Sequence, residues 1–139
     1  MKKVGVAGYG STKFSKYETP IEELLVESTK QLFETTPNIS QDLIDGVLVS
    51  TNDNSKYLGA ILSEMNGIKP KISHTTEHLC SSGTNAVISA FSYIRSGLAD
   101  VILVTGGDVI GNPGQVLEWD NSRGQFNHCL LYTSPSPRD

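Results

Sequence analysis

Hydrophobic positions along the chain follow two spacings, one typical of strands and one typical of helices. Short apolar runs predict strands at residues 4–8, 47–50, 71–76 and 101–105. Between them, apolar residues recur every three or four positions and predict helices. The first helix starts at the Thr19-Pro20 pair and ends before Pro37, the second covers 57–65, and the third runs from Cys80 to Ser96.

The order of these elements predicts the fold class. Strand and helix alternate from the first segment to the last, which implies right-handed crossovers and an α/β fold with a mainly parallel sheet. The last strand is apolar throughout, so we expect it to be covered on both faces. The residues expected to face inward are Leu58, Ile61, Leu62 and Met65 in the second helix, and Ala86, Val87, Ala90, Phe91 and Ile94 in the third.

Composition adds bounds to this picture. The chain has 139 residues, of which 37% are hydrophobic and 19% charged, as in a folded globular domain. A net charge of −4 gives no general attraction to nucleic acid or to an acidic membrane surface. No apolar run approaches the roughly 18 residues needed to span a bilayer. The start, Met1-Lys2-Lys3, leads into a strand and not into a signal-peptide core, so we expect a cytoplasmic protein with no nucleic-acid or membrane partner.

Cys80 is the residue with the clearest chemical potential. It stands between the third predicted strand and the third predicted helix, at the opening turn of that helix. A helix N-terminus carries unpaired N–H groups and roughly half a positive charge, which favours thiolate over thiol. Ligands of parallel sheets collect beyond the carboxyl ends of the strands. The position therefore predicts a nucleophile, although a lone cysteine in an apolar setting is more often a small buried side chain.

Other candidate residues have structural interpretations. With only two distant cysteines and no secretory signal, we expect free thiols and no disulfide. The histidines lack the further ligands that a metal site needs, so we expect no metal. The Gly8-Tyr9-Gly10 turn resembles part of a dinucleotide-binding fingerprint, but Lys13 stands where a small residue is needed. Residues expected to serve as caps, solvated charges or packed side chains are Asp42, Asp45, Asp53, His74, His78 and Trp119.

Two segments of the chain together resemble the thiolase superfamily. The segment 80–86, Cys-Ser-Ser-Gly-Thr-Asn-Ala, followed by 101–107, Val-Ile-Leu-Val-Thr-Gly-Gly, resembles the region around the thiolase nucleophile. The opening segment 4–14, with its Gly-Ser-Thr-Lys-Phe ending, resembles the start of archaeal and sterol-carrier-type acetyl-CoA acetyltransferases. A small residue usually precedes the cysteine in such enzymes, whereas Leu79 does here, which bears on substrate preference. The resemblance identifies residues 1–128 as a thiolase-like N-terminal domain, interrupted in a loop after about residue 106.

The resemblance implies a function for the complete protein. Cys80 matches the cysteine that forms an acyl-enzyme and passes the acyl group between CoA thioesters, as in the formation or thiolysis of 3-oxoacyl-CoA. Coenzyme A thioesters are then substrates and no cofactor is permanently bound. The family's acid–base histidines and second cysteine belong to a C-terminal half, so His128 and Cys129 receive no catalytic role. We expect a homodimer or higher oligomer of the complete protein, and an inactive fragment.

Three alternatives remain at this point. A condensing enzyme of the ketoacyl-synthase type shares the cysteine at a helix start, although the Thr-Lys-Phe segment favours a thiolase. A non-catalytic partner subunit or acyl-binding module would keep the fold without turnover. A nucleotide-binding α/β domain would use the glycine turn near residue 8.

The last eleven residues carry no predicted chemistry. Residues 129–139, Cys-Leu-Leu-Tyr-Thr-Ser-Pro-Ser-Pro-Arg-Asp, resemble a translated sequencing-library adapter. We expect this segment to be non-native and exclude it from the predicted domain. Without it, Cys80 would be the only cysteine of the protein.

Overall fold

A computed structural model of the chain describes residues 3–14, 18–52 and 55–109. Its helices are α1 (Ile21–Thr35), α2 (Leu58–Met65) and α3 (Ser82–Ser96), with two short 3-10 helices at Gln41–Leu43 and Leu79–Ser81. Its strands are β1 (Gly46–Ser50), β2 (Ile72–Thr76) and β3 (Ile102–Gly106).

The three strands form one parallel sheet with β1 in the centre, in the order β2-β1-β3. Each strand is followed or preceded by a helix that returns the chain to the same end of the sheet, as parallel pairing requires. The α/β class with a mainly parallel sheet is confirmed.

The largest apolar core lies between the sheet and the pair α1 and α2. Alternate residues of a strand point to opposite faces, and Val47 and Val49 of β1 point to this side. They pack with the fully buried Leu58 and Leu62 of α2 and with Leu25 of α1. Full burial of side chains of this size contributes about 1.5–3 kcal/mol each. This core holds one face of the sheet and leaves the opposite face for another element to cover.

The opposite face of the sheet is covered by α3 through small side chains. Ala86 and Ala90 are buried, whereas Val87 and Phe91 are 56% and 49% exposed. The prediction that Val87 and Phe91 face inward is therefore wrong. The sheet side of α3 follows the alanines, which lie four positions apart, and the larger apolar residues fall on the outer side. Met65 of α2 is likewise exposed, at 48%.

The predicted strand at 4–8 is absent. Residues 3–14 form no regular secondary structure and lie against α1. The Thr35 hydroxyl donates a hydrogen bond to the Tyr9 carbonyl at 3.0 Å, and the Ser11 N–H donates one to the Gln31 side chain at 2.5 Å. A side chain at Gly10 would collide with the α1 backbone. Two backbone groups of this segment are therefore bonded to side chains of α1, and none of the described strands pairs with it.

The strand covered on both faces is β1 and not β3. All five residues of β1 are buried, whereas β3 has only Leu103 fully buried. The prediction that the last strand is buried on both faces is wrong, because β3 occupies an edge of the sheet that the structure describes. An apolar run alone does not distinguish a central strand from an edge strand.

One carboxylate fastens the amino-terminal end of the sheet. Asp45 accepts hydrogen bonds from the Lys71 ammonium at 2.9 Å and from the N–H groups of Asp100 and Val101 at 2.8 and 3.3 Å. These bonds favour the ionised form, and they lower the pKa of Asp45 from 3.8 to about 2, with the Lys71 bond the largest cause. The same bond raises the pKa of Lys71. Asp45 therefore joins the starts of all three strands.

Candidate nucleophile site at the start of helix α3

Cys80 lies where the structure passes from β2 into α3. It is the middle residue of the 3-10 helix Leu79–Ser81, which runs directly into α3. The side chain is exposed. The thiol position is thus beyond the carboxyl end of a parallel strand and at the start of a 15-residue helix, as the hydrophobic pattern predicts.

The residue before Cys80 has an unfavourable backbone conformation. Leu79 has φ of 49°, in the left-handed region, where a residue with a Cβ pays roughly 1–2 kcal/mol. Among the described residues other than glycine, only Tyr57 shares a positive φ. Such conformations persist where surrounding contacts enforce them. The contacts around Leu79 therefore determine how Cys80 is presented.

Three hydrogen bonds enforce the turn around Leu79. The Ser82 hydroxyl accepts a hydrogen bond from the His78 N–H at 2.6 Å and donates one to the Leu79 carbonyl at 2.7 Å. The Glu77 carboxylate accepts one from the Leu79 N–H at 2.8 Å. Ser82 is buried, with 5% of its surface exposed, so its two bonds are shielded from water. Two of these bonds join the residues that precede Cys80 to Ser82, which follows it.

A histidine and a serine add a second connection across the same turn. The Ser81 hydroxyl donates its hydrogen to the His78 carbonyl at 2.9 Å and lies 2.8 Å from Nδ1 of the His78 ring. The histidine ring is therefore bonded to its own turn, in keeping with the structural role expected for His78.

The first turn of α3 contains no acidic residue, and Ser81, its N-cap residue, makes no side-chain capping bond. Within α3 itself no carboxylate offsets the partial positive charge of the helix start. The Glu77 carboxylate, five residues before Ser82, bonds to the Leu79 N–H in the turn that leads into the helix. A thiolate at Cys80 would be stabilised there, and thiolate is the form of cysteine that acts as a nucleophile.

The expectation of free thiols is wrong for Cys80, which is disulfide-bonded in the structure. The described residues contain no other cysteine, and Cys129 lies outside them. A sulfur held in a disulfide is not a nucleophile, so any acyl transfer by Cys80 requires the reduced form.

The carboxyl ends of β1 and β3 meet beside the start of α3. A side chain at Gly106 would collide with the side chain and carbonyl of Ser50, so the two strands approach closely at this point. Ser50 also lies 3.9 Å from the position that a Cβ on Gly83 of α3 would occupy. The first turn of α3 therefore lies over the end of the central strand.

Asp108 joins the same two strand ends and was not singled out by the sequence pattern. Its carboxylate accepts hydrogen bonds from the Thr51 hydroxyl at 2.9 Å, the Asn52 N–H at 2.6 Å and the Asn52 side-chain amide at 3.2 Å. The buried Asn52 Oδ1 has no hydrogen-bond partner in the part of the chain that the structure describes. The Gly-Gly-Asp sequence after an apolar strand is the signal that could have identified this residue.

The remaining candidates have structural roles or lie outside the described residues. His74 lies on β2, where its ring is 3.3 Å from the hydroxyls of Tyr93 and Thr76 and makes an edge contact with the Tyr93 ring. It connects the edge strand to α3. Four of the residues considered in the sequence lie outside the described ranges: Asp53, Trp119, His128 and Cys129.

The glycine turn near residue 8 packs against α1. A side chain at Gly10 would collide with the backbone of α1, and one at Gly8 would collide with the side chain of Thr36, the residue that follows α1. The helix itself begins only at Ile21. The glycines thus allow close packing of two segments, which argues against the dinucleotide-binding alternative. A cavity of about 400 Å³ lies between residues 10–14, α1 and residues 104–109. The turn that contains Cys80 does not line it.

The described residues show neither a metal-binding cluster nor a membrane-spanning helix. Within residues 3–14, 18–52 and 55–109, no three His, Cys, Asp or Glu residues group in a way that could hold a metal ion. None of the helices in those ranges combines the length and apolar character needed to cross a membrane.

Comparison with known proteins gives one family and a consistent set of relatives. Residues 4–128 match the model of the thiolase N-terminal domain. An acetyl-CoA acetyltransferase of Methanocaldococcus jannaschii is 31% identical over 112 residues, which are 76% of this chain and 28% of the relative. A hydroxymethylglutaryl-CoA synthase of Thermococcus onnurineus is 34% identical over 71 residues, which are 50% of this chain and 20% of that protein. The chain thus spans less than a third of the curated relatives that it matches.

A solved structure supports the same fold. The 3-oxoacyl-[acyl-carrier-protein] synthase III of Aquifex aeolicus superposes with a TM-score of 0.61 at 21% identity, covering 68% of this chain and 31% of that one. At this identity the likeness concerns the fold. The fold is therefore shared with a protein of low sequence identity.

Proposed function

Because this chain belongs to the thiolase family, we propose that the complete protein is a thiolase-like acyltransferase that carries an acyl group on Cys80. One observation carries the proposal. Within a chain that matches the thiolase N-terminal domain, Cys80 occupies the turn between a parallel strand and the uncapped start of α3. That location supplies both exposure to a substrate and stabilisation of a thiolate.

The proposed first step forms a covalent acyl-enzyme. The Cys80 thiolate attacks the carbonyl carbon of an acyl-CoA thioester, and a new C–S bond forms. The tetrahedral intermediate collapses, the bond to the CoA sulfur breaks, and CoA leaves as a thiolate that takes up a proton. The products are acyl-Cys80 and free CoA. CoA thioesters are substrates in this scheme, and no permanently bound cofactor takes part.

The proposed second step transfers the acyl group to a carbon acceptor. The α-carbon of a second acyl-CoA, after losing a proton, attacks the acyl-Cys80 carbonyl and releases the cysteine thiolate, giving 3-oxoacyl-CoA. Thiolysis is the reverse of these two steps. The acid–base groups for this chemistry come from the C-terminal half in the family. We propose a cytoplasmic homodimer or higher oligomer as the working form of the complete protein.

Acetyl-CoA labelling tests the acyl-enzyme step directly. The reduced complete protein is incubated with acetyl-CoA, and peptides are analysed by mass spectrometry. We expect acetyl on the peptide containing Cys80, and Cys80→Ala should lose the label and at least about a thousandfold in turnover. Ser92→Ala, an exposed change on the outer part of α3, is the matched control. A folded protein in which acetyl-CoA leaves Cys80 unlabelled would refute the proposal.

The 139-residue chain itself should not turn over. It contains the proposed nucleophile but spans only 28% of the acetyltransferase relative, so the acid–base residues of the second step are missing. We expect no Cys80-dependent thiolysis or condensation by this chain, measured as release or consumption of free CoA thiol. Multiple turnovers that disappear in Cys80→Ala would show that this expectation is wrong.

A condensing enzyme is the second candidate. The synthase III structure shares the fold of this chain, and this candidate is a condensing enzyme of the ketoacyl-synthase type, in which the acyl group is again held on a thiol. The two candidates differ in the acceptor. Acetylated complete protein should transfer its acetyl group to an acceptor on CoA if it is a thiolase. Transfer only to an acceptor on an acyl-carrier protein would favour the second candidate.

A further inference from the structure

We propose that Ser82 is a positioning residue for Cys80, and that its buried hydroxyl holds Leu79 in the conformation that places the thiol at the start of α3. This inference rests on the proposed function, since it concerns how the nucleophile is presented. Ser82 does not touch the substrate in this view. It acts through the backbone of the two residues that precede the cysteine.

The position of Ser82 allows it to fix the turn from inside. It is the first residue of α3 and is buried, so its backbone is held by the helix. From there its hydroxyl reaches back to the N–H of His78 and to the carbonyl of Leu79. One bond ends at the peptide unit that precedes His78, and the other ends at the unit between Leu79 and Cys80. Cys80 lies between Leu79 and the helix, so once its disulfide is reduced, fixing Leu79 fixes the direction in which the cysteine leaves the turn.

The strain at Leu79 makes this hydroxyl consequential. A leucine with φ of 49° gains roughly 1–2 kcal/mol by returning to an ordinary conformation. A hydrogen bond contributes about 0.5–1.5 kcal/mol net, so the two bonds of Ser82 are comparable to the strain that they oppose. The exposed Glu77 carboxylate adds a third bond at the Leu79 N–H, but water competes for it. Removing the buried hydroxyl therefore shifts the balance toward a relaxed turn.

A relaxed turn would change the chemistry of Cys80 and leave the core intact. The thiolate gains from the helix start only within about the first turn of the helix. A cysteine that moves away loses part of that stabilisation and reacts more slowly at neutral pH. The core between the sheet and the pair α1 and α2 lies on the other face and is unaffected.

The test follows the alkylation of reduced Cys80 in the 139-residue chain, with Cys129→Ser so that one thiol remains. The rate with iodoacetamide is measured from pH 5 to pH 10. For Ser82→Ala we expect a rate at pH 7 at least about threefold lower, with the midpoint of the pH profile shifted upward by about half a unit. Ser92→Ala removes a hydroxyl that bonds to the Ile88 carbonyl of the same helix, and it should leave both unchanged.

Relief of the strain supplies a second, independent readout. Glycine adopts a positive φ without penalty, so Leu79→Gly makes the hydroxyl of Ser82 less necessary. We expect the double variant Leu79→Gly with Ser82→Ala to recover most of the rate lost in Ser82→Ala. Tyr57→Gly relieves the same kind of strain at the start of α2 and should recover none.

The outcomes separate this inference from the proposed function. If Cys80 of the Cys129→Ser chain reacts no faster than a free model thiol at pH 7, the activated nucleophile is refuted. If Cys80 reacts fast and Ser82→Ala matches it in rate and pH profile, only the role of Ser82 is refuted. Loss of cooperative unfolding in Ser82→Ala would also refute it, because a positioning residue is dispensable for the fold.

Discussion

The two ends of the sheet are fastened in different ways. At the amino-terminal end, the single carboxylate of Asp45 binds the Lys71 ammonium and two backbone N–H groups. At the carboxyl-terminal end, Ser50 and Gly106 approach too closely for a side chain, and Asp108 ties the segments that follow the strands. Leu79, with its positive φ, follows the end of β2 and lies at this second end of the sheet.

This difference assigns separate tasks to the two ends. The amino-terminal end joins the starts of all three strands through one charge, which suits a role in stability. At the carboxyl-terminal end, Ser50 and Gly106 are in close contact, and the turn that carries Cys80 is exposed and strained. This combination suits the presentation of a nucleophile. We therefore expect the carboxyl-terminal end to respond to side-chain size and the amino-terminal end to respond to pH.

The largest expected effect comes from adding one methyl group at the carboxyl-terminal end. In Gly106→Ala the new Cβ meets the Ser50 carbonyl, a backbone atom that cannot rotate away. We expect a loss of roughly 1–3 kcal/mol in the free energy of unfolding, measured by urea denaturation. Gly107→Ala is the matched control, because no atom lies within 4 Å of its Cβ position. Equal stability of the two variants would show that the strand ends are not closely packed.

A smaller effect is expected from the carboxylate that follows β3. Asp108→Ala removes an acceptor used by Thr51 and Asn52, whose donors can then turn to water because the site is partly exposed. We expect a loss of about 1 kcal/mol in the free energy of unfolding. Asp108→Asn keeps one carbonyl oxygen and should lose less. An unchanged urea midpoint in Asp108→Ala would mean that these bonds do not stabilise the carboxyl-terminal end.

Much of this architecture follows from the sequence because spacing carries it. The three described helices and three described strands lie where apolar periodicity predicts them, and Cys80 lies at the predicted helix start. The prediction of a strand at 4–8 was wrong because an apolar run shows only that a segment can pair in a sheet. It does not show that another strand lies beside it. The inward faces of Val87 and Phe91 failed because Ala86 and Ala90 approach the sheet more closely.

The details of the site were harder to predict for a physical reason. The three bonds around Leu79 join residues within 77–82, and they accompany a positive φ that leucine disfavours. The partners of Asp108 lie more than fifty residues earlier in the chain. Neither the propensity of leucine nor the apolar spacing indicates these bonds. A glycine would have marked the turn, but leucine, which disfavours this conformation, stands there.

The smallest effect at neutral pH is expected at the amino-terminal end. Here the two ends of the sheet are compared by how the free energy of unfolding changes with pH. The pKa of Asp45 is lowered from 3.8 to about 2 in the folded chain, so its ionised form stabilises the fold above about pH 4. That contribution is lost as the pH falls through about 2. Lys71 is 74% exposed, so its pairing with Asp45 is screened by water and salt.

Asp45→Asn should therefore remove a stabilisation that depends on pH. We expect the difference in free energy of unfolding between the unaltered chain and Asp45→Asn to be constant above pH 5 and to shrink between pH 4 and pH 2. Urea denaturation at each pH measures it, and Asp42→Asn, which removes the same charge from an exposed position, is the control. The carboxyl-terminal variant Gly106→Ala should keep a constant deficit across this range. A difference that grows as the pH falls would reverse the sign of the argument and show that Asp45 is not held in its ionised form.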